Sequence, residues 1–310
     1  MNQPYNSATA IPSPTLSIDM ALARCTIDSI RSAVRHLSDR NLVELVALVT
    51  GHKKTVRLVM DTADWIVLRE TLPAFNLLGQ HAEFKLGVTK KSSVGDQFTT
   101  DRPWDDDTAE SILVYVAHDQ ATIDDALQKE RSKSNDNGVG ELLGYPSCCI
   151  TAYREIVQGK LWVNQIVTKT AGSVTSCYAN KLAYLFKGSP SFLPDYYPCS
   201  LSCAGSARLG KTFFEAMLAF GMRELAESMK QKLLRPILYM PGLLIQLKQI
   251  SQQDDRMMFE PQDADFYQFG FLEGKQLLAK GQLPISKDEN GVSGNYDGIT
   301  YRLLQFTDLY

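Results

Sequence analysis

The most chemically concentrated residues in this chain are four cysteines in two short runs. Gly144-Tyr145-Pro146-Ser147-Cys148-Cys149 is followed about fifty residues later by Pro198-Cys199-Ser200-Leu201-Ser202-Cys203, and together they hold four of the six cysteines. Each run carries a proline where a helix can begin, because its missing N–H and fixed φ are tolerated there. A thiol at a helix start meets unpaired N–H groups and the positive end of the helix dipole. Both favour the thiolate, which is the form that binds metals. Neighbouring side chains inside a helix point about 100° apart, so Cys148 and Cys149 can face one site only from the irregular start of a helix. Cys199 and Cys203 are four residues apart. On a helix that spacing puts both sulfurs on one face, with Ser200 or Ser202 available as N-cap.

Cys148, Cys149, Cys199 and Cys203 thus form a four-sulfur set suited to an iron–sulfur cluster or to zinc. Cys-x₃-Cys is not the Cys-x₂-Cys knuckle of structural zinc, so the spacing favours iron–sulfur, with the 4Fe-4S form first and zinc as the alternative. Four bound thiolates close the site, which suits electron transfer or structure. Three leave an open metal position that can act as a Lewis acid. Buried cysteines packing a helical core, or a reversible dithiol, are the metal-free readings.

Cys177 ends the small, polar stretch Thr168–Cys177 and is a candidate nucleophile or fifth thiol. Tyr145, Arg154, Lys169, Ser173 and Arg208 join it as substrate-facing candidates through their nearness to the two runs. The first functional expectation is an iron–sulfur enzyme of small-molecule metabolism or biosynthesis, using the cluster for redox, sulfur or Lewis-acid chemistry. Its partners would be a small-molecule substrate and a redox partner protein. A zinc-stabilised, non-catalytic scaffold or binding protein and a metal-free cysteine-thiol enzyme are the alternatives.

Leu143-Gly144-Tyr145-Pro146-Ser147-Cys148-Cys149 followed by Tyr153, and later Pro198-Cys199-Ser200-Leu201-Ser202-Cys203, resemble the paired signatures of an uncharacterised prokaryotic family. The resemblance covers roughly residues 110–215 and implies no activity. Where members carry a histidine shortly before the second signature, this chain has Tyr196 and Tyr197. The tandem cysteines are also similar to those holding the terminal four-iron cluster of respiratory quinone reductases, a likeness of the dipeptide alone.

The rest of the sequence narrows the classes. With 310 residues, 44% hydrophobic and 22% charged, the chain can bury a substantial core in one large or two ordinary domains. A net charge of −3 gives no reason to expect nucleic acid. No apolar run approaches the roughly 18 residues of a membrane span, and residues 1–14 lack a basic segment followed by an apolar one. The expectation is therefore a cytoplasmic protein without membrane partners, where thiols stay reduced and cysteine clusters serve as ligands or reactive groups. Gly205–Thr212 ends in Gly-Lys-Thr but lacks the first glycine of a phosphate loop. The closely spaced cysteines of bacterial ferredoxins and the radical-SAM triplet are missing as well.

The positioning elements read as mixed α/β. Residues 1–17 form a polar, proline-containing tail. Residues 18–133 form an α/β part. It contains an amphipathic helix from Ile18 with Cys25 buried on its stripe, strands over Leu42–Thr50 and Thr55–Met60, and a helix from Asp61 broken at Pro73. Strands follow at Glu83–Thr89 and Ser111–Ala117, on either side of the polar loop Lys90–Thr108 with its Asp105–Asp107 run, and then a helix over Ile123–Lys133. Ser134–Gly140 reads as a linker. Residues 138–234 form a helical segment carrying the cysteines. Residues 235–310 form a C-terminal α+β part, with a short helix near Phe271–Leu278 and a terminal hairpin of Ile285–Lys287 with Ile299–Leu304. His118, directly after a strand, is the most site-like of the four histidines.

Overall fold

The computed structural model describes residues 20–90, 97–102, 111–131, 136–158, 162–170, 172, 174–186, 196–260, 265–268, 281–288, 291–296 and 299–308. The expected tail over 1–17, the Asp105–Asp107 run and the short helix near 271–278 lie outside them. The fold is mixed α+β, as the sequence predicts.

Two helices open the chain, α1 (Met20–Ala33) and α2 (Asp39–Val49). Helix α1 buries Ala23, Thr26, Ile27 and Ile30, with Val34 just beyond its end, and leaves Cys25 exposed. The expected burial of Cys25 fails because the inward positions step by three and four from Ala23, and residue 25 falls on the opposite side. Helix α2 corrects a second expectation, since residues 42–50 read as a strand. The Ser38 hydroxyl accepts the Asn41 N–H and caps a helix. Every residue from Asn41 to Leu48 is then buried. An apolar run buried on all sides carries no period, so a strand and a core helix look alike in it.

Strand β1 (Thr55–Asp61) leads into α3 (Thr62–Thr71), where the Asp61 carboxylate accepts the Asp64 N–H at 2.7 Å as N-cap. The helix stops at Pro73 in a 3₁₀ turn. Strands β2 (Leu78–Lys90), β3 (Gln97–Arg102) and β4 (Ser111–Ala117) complete an antiparallel sheet of order β1-β4-β2-β3. Strand β3 lies inside the expected loop over 90–108. Its polar composition conceals it, and it is defined by pairing with β2 from Lys85↔Arg102 to Lys90↔Gln97. Helices α1, α2 and α3 pack on one face of the sheet. Helices α4 (Gln120–Arg131) and α5 (Asp136–Leu142) bring apolar residues against the other. Helix α5 occupies residues expected to be linker. Its first glycine permits close packing instead of stopping the helix: a Cβ at Gly138 would come within 2.8 Å of the Lys129 side chain on α4.

Helices α6 (Ser147–Gln158), α7 (Trp162–Thr168), α8 (Ala204–Ala219) and α9 (Arg223–Leu233), together with strand β5 (Val174–Ser176), surround a central core. The long helix expected over 204–234 is broken at Gly221, between α8 and α9. Helix α2 gives Val43 and Ala47 to the central core and Leu42, Leu45, Val46 and Leu48 to the core beneath the first sheet, so it joins the two. Arg24 of α1 donates from Nε to the Ala219 carbonyl at 2.9 Å, capping the end of α8.

The C-terminal part is richer in strands than a single hairpin. Strands β6 (Ile237–Met240) and β7 (Leu243–Gln246) form a hairpin, as do β8 (Ile250–Gln253) and β9 (Arg256–Phe259). Then follow β10 (Asp265–Gln268), β11 (Gln282–Pro284), β12 (Ser286–Asp288), β13 (Gly291–Tyr296) and β14 (Ile299–Thr307). One sheet has the order β10-β7-β6-β14-β13-β12, with β5 parallel to β14, and a second has the order β11-β9-β8. The expected pairing of residues 285–287 with 299–304 is replaced by β13 inserted between them. Its glycine and asparagine content reads as turn, and neighbours on both sides make it a strand.

One buried ion pair stands at the junction of the two cores. Lys53, just past α2, bonds Glu44 of that helix, and the two residues are 3% and 4% exposed. Removing one partner strands the other charge in the core. Lys53→Met is therefore expected to cost about 3–5 kcal/mol of stability. Adding Glu44→Leu should recover most of that loss, as read by urea unfolding of the single and double variants.

Candidate metal centre

The first cysteine pair stands where the sequence places it. Pro146 precedes α6, and its carbonyl accepts the N–H groups of Cys149 (2.9 Å) and Ile150 (3.0 Å), so both cysteines lie in the first turn. The second pair departs from expectation. Residues 199–202 are a turn, not a helix, and the Cys203 N–H closes it on the Ser200 carbonyl at 3.2 Å. The N-cap of α8 is neither serine but Cys203 itself, whose sulfur accepts the Ser206 N–H at 3.4 Å. Sulfur takes the place of a hydroxyl cap, and the helix start stabilises its negative form.

These two helix starts meet. The four Sγ atoms of Cys148, Cys149, Cys199 and Cys203 all lie within 4.8 Å of one another. Cys203 is 3.6 Å from Cys148 and 3.6 Å from Cys149, and Cys148 is 3.9 Å from Cys149. Such a set could hold a metal ion. The approach depends on Gly205: a Cβ there would come within 2.9 Å of Pro146 Cβ and 3.3 Å of its Cγ. Cys149 and Cys203 are buried, Cys199 is half-buried and Cys148 is exposed, so the set opens to solvent along one edge.

Charge is shared unequally among the sulfurs. Contacts from Cys148, Cys149 and Cys199 hold the Cys203 thiol far below its usual range, as a thiolate. Cys148 is lowered to about 7, chiefly by its contact with Cys149. Cys149 and Cys199 are pushed up, each chiefly through Cys148, and keep their protons in the metal-free state. The backbone N–H of Cys199 donates to the Cys149 sulfur at 3.4 Å, and the Ser206 hydroxyl lies 3.3 Å from the same atom. Polar groups of Cys199 and Ser206 thus contact the Cys149 and Cys203 sulfurs, as outer-shell groups do around metal ligands.

Aromatic residues line the approach. Tyr196 hydrogen-bonds Ser206, and burial holds its phenol protonated. Its ring stacks on Tyr145 with centroids 4.6 Å apart, and Tyr153 stacks on Tyr197 at 6.3 Å. The Lys53 ammonium lies 5.3 Å from the Tyr145 ring centroid and 5.5 Å from that of Phe213.

Tyr145, two residues before α6, thus packs between Tyr196 and the Lys53 ammonium. Arg154 lies on α6, with its side chain outside the described part. Lys169 is an exposed residue in the turn after α7, and Arg208 is exposed on α8. Ser173 lies outside the described residues. Cys177 is 0% exposed, packed in the central core apart from the four sulfurs, and burial pushes its thiol up to about 12. His118 is exposed at the end of β4 and is not among the grouped ligands. Sequence reasoning missed Ser206, Tyr196, Gly205 and Lys53. The run of small residues Ala204-Gly205-Ser206 directly after Cys203 is a usable signal for the first and third, whereas nothing local marks Lys53.

Two outcomes are expected. Gly205→Val should force the two helix starts apart at a cost of about 1–3 kcal/mol, read as about 5- to 150-fold weaker metal binding in chelator competition. In metal-free protein, Cys148 has a depressed pKa, so its thiolate is present above that value. Its alkylation rate should climb as pH rises through about 7 and then level off, with Cys149 lagging in peptide mapping.

No curated protein and no solved structure matches the chain. An uncharacterised family does: residues 115–221, a stretch that contains all four converging cysteines, are similar to a family described as a protein of unknown function (DUF483).

Proposed function

We propose that Cys148, Cys149, Cys199 and Cys203 bind a single tetrahedral ion, zinc before iron, in a closed centre that staples the starts of α6 and α8. The carrying observation is the sulfur spacing. Metal–sulfur bonds of about 2.3 Å at tetrahedral angles put the sulfurs about 3.8 Å apart. The separations among Cys148, Cys149 and Cys203, 3.6, 3.6 and 3.9 Å, bracket that value, and the Cys199 sulfur lies within 4.8 Å of each of them. A 4Fe-4S cluster binds each thiolate to a different iron, with sulfides between, and therefore needs ligands spread further apart. The iron–sulfur expectation rests on ligand spacing along the chain, and the separation in space favours one ion.

A closed set of four thiolates has no open position for a small-molecule substrate, and zinc has no second oxidation state to offer a redox partner. The metal's role in this reading is structural. It neutralises the crowded thiolates and fixes the starts of α6 and α8 to one another. The protein is then a metal-stabilised scaffold or binding protein, with the rim of Tyr145, Tyr196, Tyr153 and Tyr197 held in place by the ion. Among the described residues no helix is long and apolar enough to cross a membrane.

The test is metal and acid-labile sulfide content of protein purified without oxygen, for wild type, Cys149→Ala and Cys203→Ala. One zinc per chain without sulfide, lost in both variants, is the expected result. Because binding displaces protons from Cys149 and Cys199, affinity should fall as pH is lowered. Iron with matching sulfide would restore the cluster reading, and a wild-type chain free of metal would end both.

A further inference from the structure

We propose that the centre is also a peroxide-sensitive modification site, in which Cys148 is oxidised first and then forms a disulfide with Cys203, releasing the metal. This rests on the metal reading above. Cys148 is the one exposed residue of the four. Coordination keeps a thiol deprotonated, so a bound Cys148 presents a thiolate to solvent without needing to lose a proton. Exposure and thiolate character together select the sulfur that an oxidant reaches. Cys149 and Cys203 lie behind it, buried, and Cys199 is partly covered.

The partner follows from geometry. Cys203 Sγ is 3.6 Å from Cys148 Sγ, on a different element and 55 residues away in the chain. Cys149 is further, at 3.9 Å, and bridging adjacent residues would strain the first turn of α6. Closing the remaining gap to about 2.05 Å needs only small movements of two helix starts whose fixing ion is leaving.

The reaction balances with a hydroperoxide as oxidant. The Cys148 thiolate attacks one peroxide oxygen, an S–O bond forms, the O–O bond breaks, and hydroxide leaves to take a proton from solvent. The Cys203 thiolate then attacks the Cys148 sulfur, the S–S bond forms, the S–O bond breaks, and a second hydroxide leaves and is protonated. Two thiolates lose two electrons in all, and hydrogen peroxide with two protons becomes two waters. Only Cys149 and Cys199 then remain as thiolate ligands, too few for a four-sulfur site.

The experiment uses the full chain loaded with zinc, whose stoichiometry is measured first. Hydrogen peroxide is then added, with zinc release followed by a chromophoric chelator and the disulfide located by non-reducing peptide mapping. Release of the bound zinc with a Cys148–Cys203 linkage, both reversed by dithiothreitol, is expected. A cyclic dione added to the zinc-loaded wild-type chain together with peroxide should trap a sulfenic acid at Cys148 before the disulfide forms, and the peptide map of the same sample identifies the linked pair. A chain that holds zinc and keeps it through peroxide, or that links another pair, overturns this proposal and leaves the metal reading standing. A chain with no zinc or other metal at the outset overturns both.

Discussion

Four sulfurs within 4.8 Å of one another are the constraint on which the middle of this molecule depends. Two unit charges near 4 Å repel by about 4 kcal/mol at an effective dielectric of about 20, so four thiolates cannot occupy this space without a compensating cation. In the metal-free state the set manages the charge by keeping protons on Cys149 and Cys199 and placing the anion on Cys203, where the first turn of α8 meets it. A divalent ion, where one binds as proposed, would exchange those protons for its charge. Either way the starts of α6 and α8 must stay together, and Gly205 lets Pro146 come close enough for that.

The surroundings tie this constraint to the rest of the fold. The first sheet and the central helices are joined by α2, which buries residues in both cores, and by the Glu44–Lys53 pair at its end. The Lys53 ammonium faces the ring of Tyr145, Tyr145 stacks on Tyr196, and Tyr196 bonds Ser206, which touches two of the sulfurs. A continuous series of contacts therefore runs from a buried ion pair to the cysteine set. Arg24, by capping the end of α8, fixes the far end of the helix that Cys203 begins.

The arrangement bears on function through what it encloses and what it leaves open. In the proposed reading four ligands close a tetrahedral ion, and its chemistry would be to hold segments together. One edge, at Cys148, remains open to solvent. In the proposed reading, a structural centre with one exposed cysteine is stable while reduced and open to oxidation at that residue. Cys177 is unlike it in every respect: fully buried, held protonated and packed among apolar side chains, it has the surroundings of an inert core thiol.

The sequence by itself determined a good deal about the chemistry. Residue type and proline placement mark Cys148, Cys149, Cys199 and Cys203 as the four sulfurs of interest, and Pro146 marks the start of α6. Those signals are local, because a helix start is specified within a few residues. Capping likewise made the helix after Asp61 legible, and a short, β-branched apolar run made β4 legible. What needed the tertiary structure was everything set by neighbours distant in the chain. Helix α2 looks like a strand because burial on all sides erases its period. Strands β3 and β13 are polar or glycine-bearing and exist through their partners. The number and spacing of metals the site can take depend on distances across 55 residues, which no spacing in sequence encodes. The same holds for Lys53 and Tyr196, whose importance lies wholly in what packs against them.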